Sequence, residues 1–327
     1  MKFIKKLIGV LILTLVLLYV VGPSPETPDY SSQLPFIGTA IADIEDSLIQ
    51  YESEHNVEIC AFTEIYWTDS IRQTEVAFLY LHGFSATKHE GDSLRYLLPK
   101  RYGMNALFNR MAGHGIDEVD SNRLIGFTAE KAWDKALYDF QLAKILGKKI
   151  ILGSCSTGSS IALRLAALYP EDIIGVVNYS PNMGLPDPTT PLLNGPWGFE
   201  LIKLIDGESY RTVPPREDHL IIPCKAVTYS WQSVIQMQHL IETIVDHDLL
   251  SSIRVPVMNM VWYEDDKNQD FVIDVAQAKK MHEQLGTTSK YWVETSAREH
   301  VIQNYLLSSD LENVYEHSYN FIERCLR

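Results

Sequence analysis

Ile150-Ile151-Leu152-Gly153-Ser154-Cys155-Ser156-Thr157-Gly158-Ser159-Ser160-Ile161-Ala162-Leu163 decides how this chain is read. A short β-branched run enters a cluster of very small residues and leaves as an Ala/Leu-rich helical pattern. A strand that reverses this sharply into a helix crowds the positions two places either side of the apex. Those positions must be small, and the apex side chain is pushed into the open above the sheet. With Cys155 at the apex, β-branched Thr157 would occupy one of the crowded positions. With Ser156 at the apex, Ser154 and Gly158 flank it and both are small. The Ser156 register follows, with Cys155 buried beneath it. Taken alone, the stretch reads equally as a reactive turn or as an ordinary strand-to-helix connection, so other segments must decide.

Composition narrows the choice. The chain has 327 residues, 46% of them hydrophobic, enough for a large core. Its formal charge of −14, with no basic patch beyond the N-terminus, excludes nucleic acid as a partner. Lys2, Lys5 and Lys6 precede the apolar run Leu7–Val21, and Pro23-Ser24-Pro25-Glu26 ends it. No Lys or Arg follows until Arg72, a charge asymmetry that keeps the lysines inside and sends the rest of the chain outward. Residues 1–22 are therefore expected to be a signal anchor with a transmembrane helix, or a cleaved signal peptide. The body of the protein then lies outside the cytoplasm, membrane-anchored in the first case and secreted in the second. Cys60, Cys155, Cys224 and Cys325 match no metal-binding spacing, and the sequence does not pair them.

A linker and a helical stretch around 41–51 occupy residues 23–56. From Val57 onward strand and helix patterns alternate, the mark of an α/β protein with a mostly parallel sheet. Strands are expected at Glu58–Trp67, Val76–Leu81, Asn105–Asn109, Lys149–Leu152, Ile174–Tyr179, Val257–Tyr263 and Lys290–Glu294. Helices are expected at Ala129–Leu146, Gly158–Leu168, Val272–Leu285 and Leu311–Cys325. Residues 181–254 interrupt the alternation and read as a cap insertion. Within it, Val234, Met237, Leu240, Ile241 and Ile244 form one apolar helical face. That face either packs on a core of its own or lines a substrate pocket.

A serine hydroxyl needs a general base, and the base needs an acid to orient it. Both types follow Ser156 where strands end. His300 lies in a polar loop after the last expected strand, and an imidazole is suited to take the serine proton. Among the carboxylates of 264–270, Asp270 stands where the loop re-enters the core; Asp266 is the alternative. Charge developing on a carbonyl oxygen needs backbone donors. Thr157 supplies one N–H at a helix start, and Phe84, after the strand ending Leu81-His82-Gly83, supplies the other. Gly113-His114-Gly115 reads as a structural turn.

Together, Leu81–Phe84, Gly113–Gly115, Ser154–Gly158, the Asp270 loop and His300 resemble an α/β-hydrolase. The resemblance runs from residue 57 to the C-terminus and is nearest the branch of esterases, monoacylglycerol lipases and serine aminopeptidases. It implies an eight-stranded, mostly parallel sheet flanked by helices, a Ser-acid-His triad and a cap that sets specificity. Two residues depart from that pattern: Ser154 replaces the first glycine of the turn, and Cys155 replaces a frequent histidine. The expected activity is hydrolysis of carboxylic esters, lipid-like or short acyl, through an acyl-enzyme, with the membrane as a partner through the N-terminal segment. Neither metal nor organic cofactor is implied. An exported aminopeptidase or amidase is the alternative, with Asp187, Glu217 and Asp218 as generic amine-binding acids. A catalytically inactive binding protein of the same fold is the non-enzyme reading.

Overall fold

The computed structural model describes residues 2–119, 122–214, 216 and 221–327. Its strands are β1 (Glu64–Tyr66), β2 (Thr74–Leu81), β3 (Asn105–Phe108), β4 (Gly147–Cys155), β5 (Ile173–Tyr179), β6 (Tyr210–Thr212), β7 (Thr228–Ser230), β8 (Val257–Asp265), β9 (Asn268–Gln269) and β10 (Lys290–Thr295). Eight of them form one sheet in the order β1-β3-β2-β4-β5-β8-β10, with β9 folded back on β8. Only the outer pairs β1–β3 and β8–β9 are antiparallel, so the sheet is mostly parallel, as expected.

Side chains alternate across a strand, and β2 shows the consequence. Ala77, Leu79 and Leu81 join one apolar layer, whereas Phe78 and Tyr80 join the other. Helices α1 (Lys2–Val20) and α2 (Ile44–Glu54) precede the sheet in the chain, and the first layer holds helices α4 (Ala129–Leu146) and α5 (Thr157–Leu168) through Trp133, Phe140, Ile161 and Leu165. The second holds α3 (Leu94–Tyr102) and the C-terminal helix Leu311–Cys325 through Leu94, Leu98 and Phe321. Helix α3 has no counterpart among the expected elements because Pro99 lies inside it. Burial of Leu94 and Leu98 outweighs that local penalty.

Other boundaries also moved. The expected strand Glu58–Trp67 is broken: Ile59–Ala61 form a 3-10 turn and only Glu64–Tyr66 pair in the sheet. Glu58 donates its N–H to Gly115 O at 2.7 Å, which draws this segment off the sheet line. The expected helix Val272–Leu285 begins only at Val275, where the Asp274 side chain accepts the Gln277 N–H as a cap.

The N-terminal helix Lys2–Val20 forms, but no helix among the described residues is long and apolar enough to cross a membrane. This corrects the expected transmembrane helix. Three lysines occupy its first turns, and the apolar remainder from Leu7 rises only about 21 Å at ~1.5 Å per residue. A bilayer's hydrocarbon layer is ~30 Å thick.

The insertion contributes helix Gly198–Asp206, the β6–β7 hairpin and helix Trp231–Thr243. The apolar face of the last helix, with Val234, Met237, Leu240 and Ile241, lies in the same layer as α4 and α5, so it packs on the body of the domain. An extended N-terminal strap holds it there. His239 Nε2 donates to Glu26 O at 3.0 Å, Tyr30 shares a 2.7 Å hydroxyl bond with Thr243, and Trp133 Nε1 donates to Ser31 O at 2.6 Å.

Cys60 and Cys224 form a disulfide, with Cα atoms 6.1 Å apart. It joins positions 164 residues apart in sequence. Loop closure of that size is worth up to ~5 kcal/mol in the chain-entropy account. Cys60→Ser, or reduction, is expected to lower stability by roughly 2–5 kcal/mol, read as a lower urea midpoint; equal midpoints with and without reductant would contradict the cross-link.

Candidate active site

Ser156 stands between β4 and α5 with φ 52° and ψ −122°. A non-glycine residue held there stores roughly 1–3 kcal/mol of strain, and the surroundings show what enforces it. A Cβ on Gly158 would lie 2.3 Å from Leu81 O, so only glycine lets the first turn of α5 press against the end of β2. The Ser156 N–H is held by Tyr179 O at 3.0 Å, and its carbonyl accepts from Asn182 N at 3.1 Å.

Ser154, the departure from the family pattern, is fully buried and satisfied. Its Oγ lies 2.8 Å from Ser159 Oγ across the turn and donates to Asn178 Oδ1 at 2.6 Å. Asn178 Nδ2 then donates to Asn259 Oδ1 at 2.7 Å, and Asn259 Nδ2 to His282 Nδ1 at 2.9 Å. Ser154, Asn178 and Asn259 are register partners on β4, β5 and β8. A polar ladder thus crosses the sheet beneath the turn.

His300 and Asp270 meet on the far side of β5. Nδ1 of His300 lies 2.7 Å from Asp270 Oδ2, and Asp270 Oδ1 accepts the Val272 N–H at 2.8 Å. Both residues are buried. Ser180, directly after β5, donates its Oγ to His300 O at 2.6 Å, tying the histidine loop to the strand end that also holds Ser156 N. Asp266 is exposed and accepts the Tyr263 hydroxyl at 2.9 Å, away from the imidazole. The pairing therefore falls on Asp270.

The loop after β2 distributes its backbone donors unevenly. His82 N donates to Asn109 Oδ1 at 3.1 Å, Gly83 N to Glu90 Oε1 at 2.5 Å, Ser85 N to His114 Nε2 at 2.9 Å and Ala86 N to Gly83 O at 3.3 Å. Among the described residues only the Phe84 N–H of this loop has no acceptor. A Cβ on Gly83 would lie 2.9 Å from Ser156 Cβ, so the loop passes directly against the serine. Thr157 opens α5, where a first-turn N–H has no intrahelical partner. Phe84 in this loop and Thr157 at the helix start thus each carry an N–H without an acceptor among the described residues.

Two histidines keep this loop in place as neutral acceptors. His82 Nδ1 donates to Gly83 O at 2.7 Å while Nε2 accepts Met111 N at 2.9 Å. His114 Nδ1 donates to Ala112 O at 3.0 Å, which leaves Nε2 for Ser85 N. Burial, with His114 alongside, pushes His82 well below its ordinary pKa; burial likewise takes His114 down to about 4. Gly113-His114-Gly115 is thus structural, but in support of the site.

Sequence reading missed Glu90. Lys88-His89-Glu90-Gly91-Asp92 reads as a solvated charged turn, yet Lys88 and Glu90 are buried. Only the folded chain brings Glu90 under Gly83. Burial raises its carboxyl to about 7, against the Gly83 N–H bond and the positive field of Lys225. Of the acids suggested for an amine site, Asp187 is exposed and occupied by its own turn through Thr189; Glu217 and Asp218 lie outside the described residues.

No family model matches the chain, and a comparison with curated proteins finds no match. Solved structures do match. One, from work on the metagenome-derived lipolytic enzymes LipS and LipT, aligns over 82% of this chain and 99% of its own, at 16% identity and TM-score 0.66. The monoacylglycerol lipase of Paleococcus ferrophilus aligns over 81% and 98%, at 15% identity and TM-score 0.59. The enol-lactonase of Burkholderia xenovorans LB400 aligns over 80% and 95%, at 13% identity and TM-score 0.55. The chain has the α/β-hydrolase fold.

A carboxyl raised from 4.5 to about 7 binds its proton more tightly folded than unfolded. Folding stability due to Glu90 is therefore fully present below pH ~4.5 and is lost as pH rises through ~7. Relative to wild type, Glu90→Gln should gain stability over that interval, on the order of 1–3 kcal/mol. Urea unfolding at pH 4.5 and pH 8 measures it; parallel pH dependences in the two proteins would refute the burial effect.

Proposed function

We propose that this chain is a serine hydrolase acting on carboxylic esters. The observation that carries the reading is the loop His82–Ala86, whose one unpaired N–H, that of Phe84, lies beside a strained, buried serine. Ser156 Oγ attacks the ester carbonyl while His300 takes its proton. Nδ1 of His300 is committed to Asp270, so Nε2 is the atom free to serve as base. Asp270 fixes that tautomer and stabilises the imidazolium. The Phe84 and Thr157 N–H groups bind the developing oxyanion, each worth ~2.7–4 kcal/mol by comparison with other hydrolases. His300 then protonates the departing alcohol, leaving an acyl-enzyme. Water, deprotonated by the same histidine, releases the acid and restores Ser156.

An acyl ester is favoured over an aminoacyl substrate by what surrounds the donors. Phe84 meets Phe127 and Tyr229 edge-to-face, with ring centroids 5.3 and 5.4 Å apart. Those rings suit an acyl chain, and Asp187 is an exposed residue whose Oδ1 caps its own turn. The structures named above, from work on lipolytic enzymes, of a monoacylglycerol lipase and of an enol-lactonase, share this fold and add support. We place the catalytic domain outside the cytoplasm, a reading supported by the Cys60–Cys224 disulfide, because such cross-links persist in oxidising compartments.

Wild-type protein should be labelled by a fluorophosphonate and Ser156→Ala should not; labelling that persists in Ser156→Ala would sink the assignment. Asp270→Asn should lower kcat by about 10⁴ through the wrong histidine tautomer, whereas Asp266→Asn should stay within about twofold because that side chain is exposed. A parallel screen of p-nitrophenyl acyl esters and aminoacyl anilides should show turnover of the esters; turnover of the anilides alone would transfer the site to peptidase chemistry.

A further inference from the structure

We propose that Glu90 is a positioning residue for the oxyanion site, its buried carboxyl holding the Gly83 N–H so that the adjoining Phe84 N–H stays turned toward Ser156. This rests on the serine-hydrolase reading. Gly83 is wedged between two groups: a Cβ there would lie 2.9 Å from Ser156 Cβ and 3.3 Å from Glu90 Oε2. No side chain can stand at Gly83 between carboxyl and serine. Successive peptide planes are coupled through one residue's φ and ψ. An acceptor at Gly83 N therefore limits where the next N–H points.

Glu90 is itself fixed from three sides. The Tyr80 hydroxyl on β2 lies 3.4 Å from Oε1, and Gln303 Nε2 reaches Tyr80 Oη at 3.0 Å. The Glu90 carbonyl accepts from Gln303 Nε2 at 3.3 Å and Asn304 Nδ2 at 3.4 Å. Gln303 and Asn304 belong to the segment that follows His300. The same buried residue thus ties the oxyanion loop to the loop carrying the base.

The charge state fits such a role. A carboxylate anion this close would oppose a developing oxyanion, whereas a neutral carboxyl still accepts the Gly83 N–H through its carbonyl oxygen. Burial favours the neutral form. The titratable groups facing Glu90 are Tyr80 from β2, Cys155 from β4, Lys225 from the insertion and His300 from the loop after β10. The other acceptors of the loop, Asn109 and neutral His114, are uncharged as well.

Three variants test it on a p-nitrophenyl ester. Glu90→Gln keeps an acceptor oxygen at the same reach and should hold kcat within about threefold. Glu90→Leu removes the acceptor at similar volume, and Glu90→Asp withdraws it by one methylene while keeping the acid. Loss of a whole oxyanion donor costs about 10²–10³ in rate, so a misaimed one should lower kcat by about 10–100-fold, with KM within about threefold and fluorophosphonate inactivation slowed in parallel. Should Glu90→Leu fail to fold, Glu90→Asp against Glu90→Gln decides. Full kcat in Glu90→Asp, or an equal loss in Glu90→Gln, overturns the inference. Ser156→Ala separates the two levels: if it retains esterase activity the serine reading itself fails, and if it is inactive while the Glu90 variants are unaffected only the positioning role fails.

Discussion

The site depends on one close crossing, the first turn of α5 against the end of β2. The contact between Gly158 and Leu81 O admits no side chain. It brings two strand ends, one bearing Ser156 and the other Gly83 and Phe84, to the same point. The positive φ of Ser156 is the cost of that approach, and bonds from Tyr179 O and Asn182 N hold the strained residue in place. Remove the crossing and the serine loses both its strained backbone geometry and the loop packed against it.

Around this crossing the interior is polar where an apolar core would be expected. Ser154, Asn178, Asn259 and His282 form a ladder across the sheet, each group paired with the next. Buried polar groups are tolerable only when so satisfied, and a satisfied network specifies a single arrangement. Ser154 shows how a departure from a family pattern can be absorbed. Its hydroxyl occupies the space beside the turn and bonds Ser159 in the first turn of α5, bridging the turn from one side to the other. His82 and His114 act in the same spirit, held neutral by burial so that each can accept one backbone N–H.

The N-terminal segment and the insertion are drawn together by contacts distant in sequence. The strap at 26–32 crosses α4 and the helix Trp231–Thr243, and the disulfide fixes Cys224 beside the loop after β2, where Ala226 N bonds Ser85 O at 2.8 Å. The apolar face of Trp231–Thr243 is spent on the domain core. The ring of Phe84 packs instead against Phe127, Tyr229 and His114.

What the sequence determined by itself was local and periodic. The alternation of strand and helix patterns, the small residues flanking Ser156 and the placement of an acid and His300 after later strands all follow from rules acting over a few residues. They suffice for the α/β class and for most strands of the sheet. Tertiary structure decided the rest. The sequence favoured Asp270 over Asp266 through the apolar residues that follow it, but the contact with His300 itself is made only when the β8–β9 hairpin turns that carboxylate inward. The broken strand at Glu58–Trp67 and the helix through Pro99 were set by distant partners that outweigh local propensity. Glu90 is the sharpest instance. Its neighbours in sequence are those of a surface turn, and its burial against Gly83 arises only when β2, the turn after it and the loop beyond β10 close on one another. Periodicity and sterics are written in neighbouring residues; burial, and the charge state it imposes, belongs to the fold as a whole.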